Sequence, residues 1–307
     1  MGKMSETTSN YRTGFVSVMG RPNVGKSTLI NALIGQKVAA VSPRPQTTRK
    51  LQMGILTIQD GAENIQIVFI DTPGIHHPRH KLGNYMNQEA WRSPEESDLL
   101  LVVVDASVHP TDEDLLLLNG LSNLKRQVPS ILCLNKIDLV GDEKFSNNKA
   151  AYHQFIPKAK VIPISATRGD HLDHLLSEII FHLPEGMPYF PAEQLTDLYE
   201  RDIVADLIRE AALNILRDEV PHGIAVRIDQ YTERGEQGAL IEATILVEKE
   251  SHKPIVIGAQ GNMAKKIGIS ARREIEAVIG RKVYLRLKVK VRKNWRDDEK
   301  LLKRFGY

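Results

Sequence analysis

The sequence predicts an α/β domain with a mostly parallel sheet, followed by a smaller α+β domain. Through about residue 183, apolar segments of strand length alternate with amphipathic helical patterns, which is typical of βαβ units. After that point the order changes to one long helix, two strands, a second helix and a last strand. A chain of 307 residues is long enough for two domains of ordinary size.

Composition and periodicity place the boundaries between these parts. We expect a flexible tail over residues 1–13, the α/β domain over 14–184, a linker over 185–197 and the α+β domain over 198–307. The tail has no apolar core and is therefore not a secretory signal. The segment LPEGMPYFPAEQLTD contains three prolines and has neither strand nor helix periodicity, which is typical of a linker.

The expected strands of the α/β domain are apolar segments that end at polar residues. They read GFVSVMG, NIQIVFID, SDLLLVVVDAS, PSILCLNKID and KVIPIS. The longest apolar run, Leu99–Val104, is far shorter than the ~18 residues that cross a bilayer, so it fits a strand buried on both faces. The one cysteine, Cys133, excludes an internal disulfide. Together these features predict a cytoplasmic protein.

A glycine-rich loop, GRPNVGKS, lies between the first expected strand and the first expected helix. It fits the pattern G-x-x-x-x-G-K-S/T, in which backbone N–H groups and a helix N-terminus surround phosphates. We expect Lys26 to reach the β- and γ-phosphates and the Ser27 hydroxyl to bind Mg²⁺. The other expected nucleotide contacts here are Gly20, Arg21, Pro22, Asn23, Val24, Gly25 and Thr28.

Two further segments complete the expected phosphate end. The first is DTPG, which comprises Asp71, Thr72, Pro73 and Gly74. Asp71 would hold Mg²⁺ through water, and the Gly74 N–H would sense the γ-phosphate. The second is the loop VSPRPQTTRK, where a threonine would close over the Mg²⁺. We favour Thr48 for this role, with Thr47 as the alternative.

The tetrapeptide NKID, Asn135–Asp138, ends an apolar strand at the sheet edge where α/β proteins bind ligands. The Asp138 carboxylate can accept hydrogen bonds from guanine N1–H and from the 2-amino group, and adenine offers neither. This mismatch favours GTP over ATP. Lys136 would lie against the base, and Asn135 would bridge neighbouring loops. The backbone N–H groups of Ser165 and Ala166 would meet the guanine carbonyl.

The C-terminal part of the chain is strongly basic. From Ser251 to Tyr307 it carries sixteen basic and five acidic residues, whereas the rest of the chain is acidic, which favours a polyanion partner. Its G-x-x-G loop lets a nucleic-acid backbone approach closely. The expected RNA contacts in and after this loop are Gly258, Ala259, Gln260, Gly261, Lys265, Lys266 and Arg272. Another G-x-x-G, Gly235–Gly238, instead suits a hairpin turn.

The last expected strand alternates between apolar and basic residues. Its outward row contains Arg286, Lys288, Lys290 and Arg292, which form a candidate phosphate track. Trp295, Phe305 and Tyr307 follow this strand. Base stacking and docking into the core are both open for these aromatic residues, and we favour docking.

The ordered set of these motifs resembles the Era family of bacterial GTPases, with PQTTR in the first loop and GAQG in the basic module. The likeness runs from Gly14 to Tyr307. It implies a Ras-like G domain followed by a type II KH domain. It also implies GTP hydrolysis, binding near the 3′ end of 16S ribosomal RNA, a role in 30S subunit assembly, and peripheral association with the inner membrane. We further expect a monomer.

Two positions depart from a simple pattern. Many relatives have a lysine inside the G-x-x-G, whereas this chain has Ala259 and Gln260, so Lys265 or Lys266 would make that contact. The residue after Gly74 is Ile75, where a Ras-type GTPase has the glutamine that orients the attacking water.

An arginine finger or a bound monovalent cation would replace that glutamine. In GTPases that the chain resembles, an asparagine at the position of Asn23 helps to hold K⁺. Asn23 therefore joins Lys26, Thr48, Asp71 and Gly74 as a candidate catalytic residue. Two other functions stay open: a tRNA-modification-type GTPase, which the basic C-terminal module disfavours, and an RNA-binding scaffold that holds GTP as a structural ligand.

Overall fold

The structure, a computed structural model, describes residues 11–42, 44, 46–59, 64–124, 126–217, 220, 223–235, 238–305 and 307. Most of the expected tail, residues 1–10, and positions 236–237 of the expected hairpin turn lie outside these ranges. The chain forms two compact units. The first comprises positions up to 38, 51–75 and 89–197, and the second comprises 39–50, 76–88 and 198–307.

One sheet forms the centre of the first unit. Its strands are β1 (Tyr11–Met19), β2 (Gln52–Gln59), β3 (Asn64–Asp71), β4 (Leu99–Asp105), β5 (Ser130–Asn135), β6 (Lys160–Pro163) and β7 (Glu185–Gly186). They lie in the order β2-β3-β1-β4-β5-β6, with β7 paired to the start of β1. Strands β3, β1, β4, β5 and β6 are parallel, and β2 is antiparallel to β3. The predicted mostly parallel sheet is confirmed, and β2 is an edge strand that the sequence analysis did not identify.

Helices cover both faces of this sheet. Along this part of the chain the helices are α1 (Lys26–Ile34), α2 (Lys81–Arg92), α3 (Asp112–Ser122), α4 (Asp142–His153) and α5 (Leu172–His182), and α2 up to residue 88 belongs to the second unit. Alternate residues of β4 pack into two different clusters, one with α1 and α5 and the other with α3 and α4, and every residue of β4 is buried. Because the strands are parallel, the polar residues at their carboxyl ends meet at one edge of the sheet.

Two expected boundaries of the first unit are corrected. Strand β1 begins at Tyr11, within the expected tail, because Tyr11 and its neighbours continue the parallel ladder with β3. The expected linker, residues 185–197, follows a fixed path along the same unit. Gln66 Oε1 accepts hydrogen bonds from the N–H groups of Tyr189 and Phe190 at 2.7 and 2.9 Å, and Ile55 N–H donates to the Leu195 carbonyl at 2.8 Å.

The second unit contains a smaller sheet, and helices pack against both of its faces. Its elements are α6 (Glu200–Ile215), β8 (Ala225–Glu233), β9 (Ala239–Val247), α7 (His252–Ile257), α8 (Asn262–Ile279), β10 (Val283–Val291) and α9 (Glu299–Arg304). The strand order is β10-β9-β8, with β10 parallel and β8 antiparallel to β9. The expected order of elements is present, with α7 and α9 added. No helix in the described ranges is long and apolar enough to span a membrane.

The second unit contains a cluster of aromatic side chains around Trp295. Trp295 is fully buried and donates its Nε1–H to the Gly223 carbonyl at 2.9 Å. The rings of Phe305 and Tyr307 pack against it, and the buried Arg49 guanidinium lies 5.5 Å from its ring centroid. Arg49 also donates to the Ile224 carbonyl at 2.8 Å. Trp295 is therefore a core residue that holds the segment containing Arg49.

Candidate nucleotide and RNA sites

The phosphate loop connects β1 to α1 around the Lys26 side chain. Lys26 Nζ donates to the carbonyls of Gly20 and Arg21 at 3.1 and 3.0 Å and is almost completely buried. Burial lowers the pKa of Lys26 to about 8, although the nearby Asp71 carboxylate acts in the opposite direction. The ammonium group is thus placed inside the loop, at the start of a helix, where an anion would be stabilised.

A pair of oxygen ligands lies beside this lysine. Ser27 Oγ donates to Asp71 Oδ2 at 2.7 Å, which brings together the hydroxyl of α1 and the carboxylate at the end of β3. A hydroxyl and a carboxylate are the hard oxygen donors that Mg²⁺ prefers, so these residues fit that ion. Thr48 is buried in the second unit, and Thr47 Oγ1 donates to the Arg44 carbonyl at 2.9 Å.

The segment after β3 approaches the phosphate loop closely. A Cβ atom on Gly74 would lie 2.5 Å from the backbone nitrogen of Pro22, so only glycine fits there. Thr72 Oγ1 donates to the Val18 carbonyl at 2.8 Å, which fixes the turn. The Ile75 side chain is fully buried in the cluster that contains Met19.

The base end of the site comes from the ends of β5 and β6. Asn135 Nδ2 donates to the Val24 carbonyl at 2.8 Å, and the Ala166 N–H donates to Asn135 Oδ1 at 3.0 Å. Ser165 Oγ donates to Asp138 Oδ1 at 2.6 Å, which orients that carboxylate. The bridge by Asn135 is present as expected. The Ala166 N–H, which we expected to meet the guanine carbonyl, is instead engaged by Asn135.

Sequence reasoning missed Asp105 at the end of β4. Lys136 Nζ donates to Asp105 Oδ2 at 2.6 Å and to the Asn23 carbonyl at 2.8 Å. Burial by itself would raise the pKa of Asp105, but hydrogen bonds from Lys136 and Ser107 outweigh it and hold that pKa below its usual value. The signal was available, because Asp105 is the polar last residue of a buried strand, as Asp71 and Asn135 are.

The remaining predicted loop residues divide into buried and exposed groups. Pro22 and Val24 are buried, Arg21, Gly25 and Thr28 are half-buried, and Asn23 is exposed. Asn23 has a φ of 63°, in the left-handed region where asparagine is among the better-tolerated residues. The predicted residues Pro73 and Gly74 are buried. Thus the structure brings the predicted phosphate and base residues of the first unit to one edge of its sheet.

The G-x-x-G loop joins α7 to α8 in the second unit. Gly258, Gln260 and Gly261 all have positive φ, at 73°, 51° and 79°. A Cβ atom on Gly261 would contact nothing within 4 Å, whereas one on Gly258 would lie 2.7 Å from the Met263 Cβ. Ala259 and Gln260 are exposed at the tip. The loop is therefore a protrusion with room around Gly261.

Two classes of cation lie near this loop and on β10. Arg286 and Lys288 both bind the Glu242 carboxylate on β9, at 2.7 and 2.9 Å, because strand pairing places Glu242 opposite Arg286. Four other cations are exposed and form no ion pair with any residue that the structure describes: Lys265, Lys266, Arg272 and Lys290. The predicted outward row of cations is present. The Glu242 carboxylate neutralises two of its four members, and periodicity alone did not reveal this pairing.

Family profiles match both parts of the chain. The profile described as 50S ribosome-binding GTPase matches residues 15–136, and the profile described as KH domain matches residues 219–296. The chain is 49% identical to GTPase Era of Halothermothrix orenii over 298 residues, which is 97% of this chain and 99% of the relative. It is 48% identical to GTPase Era of Clostridium botulinum strain Loch Maree over 299 residues, which is 97% of this chain and 98% of the relative.

Solved structures show the same similarity. One is Era in complex with MgGDPNP and nucleotides 1506–1542 of 16S ribosomal RNA, with a TM-score of 0.90 and 39% identity over 97% of this chain and 99% of that chain. Another is a single-residue variant of Aquifex aeolicus Era bound to GDP.AlF4⁻, with a TM-score of 0.89 and 39% identity over 96% and 99%. These matches confirm the expected G domain followed by a KH domain.

Proposed function

Because this chain belongs to the Era family of GTPases, we propose that it is a GTP-hydrolysing switch that binds the 3′ region of 16S ribosomal RNA and assists assembly of the 30S subunit. One combination of features carries the proposal. The same chain has an Asp138 carboxylate held by Ser165 at the base end of a phosphate loop, and an exposed G-x-x-G loop flanked by unpaired cations.

Support for the nucleotide comes from the donor set of the first unit. Lys26 and the loop amides would bind the phosphates, Ser27 and Asp71 would hold Mg²⁺, and Asp138 would read guanine. Thr48 would complete the metal site, with Thr47 as the alternative. Bound Mg²⁺ supplies charge stabilisation at the phosphate oxygens. Solved relatives contain MgGDPNP and GDP.AlF4⁻, which agrees with these cofactors.

The RNA assignment depends on the full-length relative rather than on the G domain alone. The profile named for the 50S ribosome covers only residues 15–136, whereas the relative bound to 16S RNA covers 97% of the chain. We propose that Gly258 and Gly261 let the RNA backbone approach, with Lys265, Lys266 and Arg272 neutralising phosphates. Arg286, Lys288 and Lys290 would extend this track. A cytoplasmic monomer with peripheral membrane association remains our expectation.

A change of the bound nucleotide would affect the RNA-binding KH part through segments that belong to the second unit. Arg209 donates to the Gln46 and Thr47 carbonyls, the first at 3.2 Å, next to the threonines expected to sense Mg²⁺. Lys81 Nζ donates to Glu299 Oε1 at 2.7 Å, which joins α2 to α9. A change at residues 46–48 would therefore act directly on α6 of the KH part.

Single-turnover hydrolysis of GTP, with and without an RNA of nucleotides 1506–1542, tests this function. A switch hydrolyses bound GTP at a rate that the RNA changes. A scaffold that holds GTP as a structural ligand would show no hydrolysis above the uncatalysed rate in either condition. A tRNA-modification-type enzyme would hydrolyse GTP with no response to the 16S fragment, and a tRNA in its place would distinguish that class.

A further inference from the structure

A fully buried carboxylate at the start of α3 contacts the phosphate loop. Asp114 Oδ2 accepts hydrogen bonds from Arg21 Nε at 3.0 Å, Thr111 N–H at 2.9 Å, Thr111 Oγ1 at 2.7 Å and Tyr152 OH at 3.3 Å. Its other oxygen, Oδ1, is buried without a hydrogen-bond partner among the residues described. We propose that Asp114 is a positioning residue for the phosphate loop, acting through Arg21.

Helix capping alone does not explain this arrangement. Thr111 and Asp114 form a capping box, which satisfies the first N–H groups of α3. That box needs only the two residues themselves, and a carboxylate in it is more favourable near water than buried. Here Asp114 is fully buried and binds Arg21, a residue 93 positions earlier in the chain. A buried carboxylate of this kind is tolerated when a cation pairs with it, and Arg21 is that cation.

Arg21 transmits the contact to the loop backbone. Its guanidinium donates to the Pro22 carbonyl at 3.3 Å, and its own carbonyl accepts a hydrogen bond from Lys26 Nζ at 3.0 Å. The preceding carbonyl, of Gly20, accepts from Lys26 and also from the Ile75 N–H at 3.1 Å. Fixing the Arg21 side chain therefore fixes the corner of the backbone on which the phosphate-binding lysine rests.

Charges alternate across this corner. Arg21 Nη2 lies 3.9 Å from Asp105 Oδ2, and the same oxygen accepts a hydrogen bond from Lys136 Nζ at 2.6 Å. A series of contacts between oppositely charged side chains thus runs from Asp114 at the start of α3 to Arg21 in the loop. It continues through Asp105 to Lys136 in the NKID tetrapeptide. Loss of the Asp114 charge would leave Arg21, among the residues that the structure describes, with the more distant Asp105 as its carboxylate partner, and the loop would lose the support that reaches it from α3.

A loop ordered before the nucleotide arrives incurs less entropy loss on binding. We therefore expect Asp114→Asn to weaken GDP and GTP binding by about tenfold, mainly through faster dissociation, since it removes one charge-assisted hydrogen bond. The inference rests on the phosphate site proposed above for residues 20–27.

The experiment measures dissociation of a fluorescent GDP analogue, equilibrium affinity and the unfolding midpoint for the full chain. The variants are Asp114→Asn, Arg21→Ala and the double variant. We expect Arg21→Ala to have an effect at least as large as that of Asp114→Asn, because it also removes the contacts with Pro22 and Asp105. The double variant should be no worse than Arg21→Ala, because the bond between Asp114 and Arg21 is already lost there. Tyr152→Phe and Thr111→Ala are matched controls, since they remove other partners of the same carboxylate. They should lower the unfolding midpoint and leave dissociation unchanged.

Additive effects in the double variant would overturn the proposal, as would an equal loss of affinity in the controls at an equal loss of stability. If Asp114→Asn does not fold, Arg21→Ala alone decides, and unchanged dissociation in that variant contradicts the proposal. Lys26→Ala separates the two levels of inference. Unchanged nucleotide affinity in Lys26→Ala would overturn the phosphate site itself, whereas lost affinity there with normal Asp114→Asn would overturn only the role of Asp114.

Discussion

The nucleotide edge of the first unit and the G-x-x-G loop of the second unit are built on opposite principles. At the nucleotide edge, side chains at the strand ends form short, buried or part-buried hydrogen bonds with one another and with the phosphate loop, such as Ser165 to Asp138 at 2.6 Å and Asn135 to the Val24 carbonyl at 2.8 Å. At the loop, Gly261 has open space around it, and Lys265 and Lys266 are exposed. The side chains of the nucleotide edge are held in place by their own contacts, whereas the G-x-x-G loop leaves its backbone and the nearby lysines exposed.

This difference predicts how each region discriminates between ligands. A site of fixed, buried acceptors rejects a ligand that leaves one of them unpaired, so its selectivity is large and depends little on salt. A surface of exposed cations binds through phosphates, so its affinity falls steeply with salt and is spread over several residues. Substitutions should therefore have large, specific effects in the first region and smaller, additive effects in the second.

The largest effect is expected at the base end. Asp138→Asn replaces an acceptor oxygen with a donor, so GTP affinity should fall by about 10²-fold or more while xanthosine triphosphate becomes the better ligand. Competition binding with GTP, XTP and ATP measures this shift. The exposed Asp142→Asn is the matched control and should change nothing. Unchanged GTP selectivity in Asp138→Asn would show that NKID does not read the base.

A smaller effect is expected at the G-x-x-G loop. Gly261→Asp puts a negative charge where the RNA backbone approaches, and we expect RNA affinity to fall by about tenfold or more, with GTP binding preserved. The variant Gly261→Asn has a side chain of the same size and similar tolerance of positive φ, without the charge, so it should lose less. Filter binding at fixed salt compares them. Equal RNA affinity in all three proteins would assign this loop to a structural turn.

The next prediction tests what replaces the missing glutamine at Ile75. If Asn23 helps to hold a monovalent cation against the phosphates, hydrolysis should be faster in K⁺ than in Na⁺ at equal ionic strength, by about tenfold, because charge stabilisation acts on the transition state. Asn23→Ala should abolish the difference while GTP still binds. Identical rates in the two salts would leave an RNA or protein partner as the source of the catalytic group.

The smallest effects should separate the two classes of cation in the second unit. Lys265→Ala removes an unpaired charge, so it should lower RNA affinity a few-fold and reduce the salt slope by ~0.7 to 1. Lys288→Ala removes a charge that Glu242 already neutralises, and its effect should be smaller. Titrations at several salt concentrations measure both slopes. A larger slope change for Lys288 would mean that RNA displaces Glu242.

Local motifs were predictable from the sequence, and the contacts between distant segments were not. The loop from Gly20 to Ser27 has fixed spacing, because backbone N–H groups must surround phosphates, and its place between β1 and α1 followed from periodicity. The second helix that the sequence predicts after the G-x-x-G loop is also present, as α8. Asp114 and Glu242 were missed because each depends on a partner brought close only by helix packing or sheet register. Asp105 was missed although its position at the end of a buried strand was a usable signal.

The missed elements have a similar cause. Strand β2 is an antiparallel edge strand in which buried and part-buried residues do not alternate regularly, so its apolar pattern is weak. The segment over 185–197 has no periodicity, yet its N–H groups bind Gln66 and its Leu195 carbonyl binds the backbone of β2. Hydrogen bonding to a preformed sheet edge can order a segment that its own sequence leaves irregular.

We expect GTP binding at the nucleotide edge to change RNA binding at the G-x-x-G loop. This coupling is measured by the affinity of the full chain for nucleotides 1506–1542 of 16S RNA, with saturating GDPNP and with saturating GDP at the same salt. We expect tighter binding in one nucleotide state, with the difference reduced in Arg209→Ala, because Arg209 binds the Gln46 and Thr47 carbonyls. Equal RNA affinity in both nucleotide states would contradict this coupling and show that the two regions bind their ligands independently.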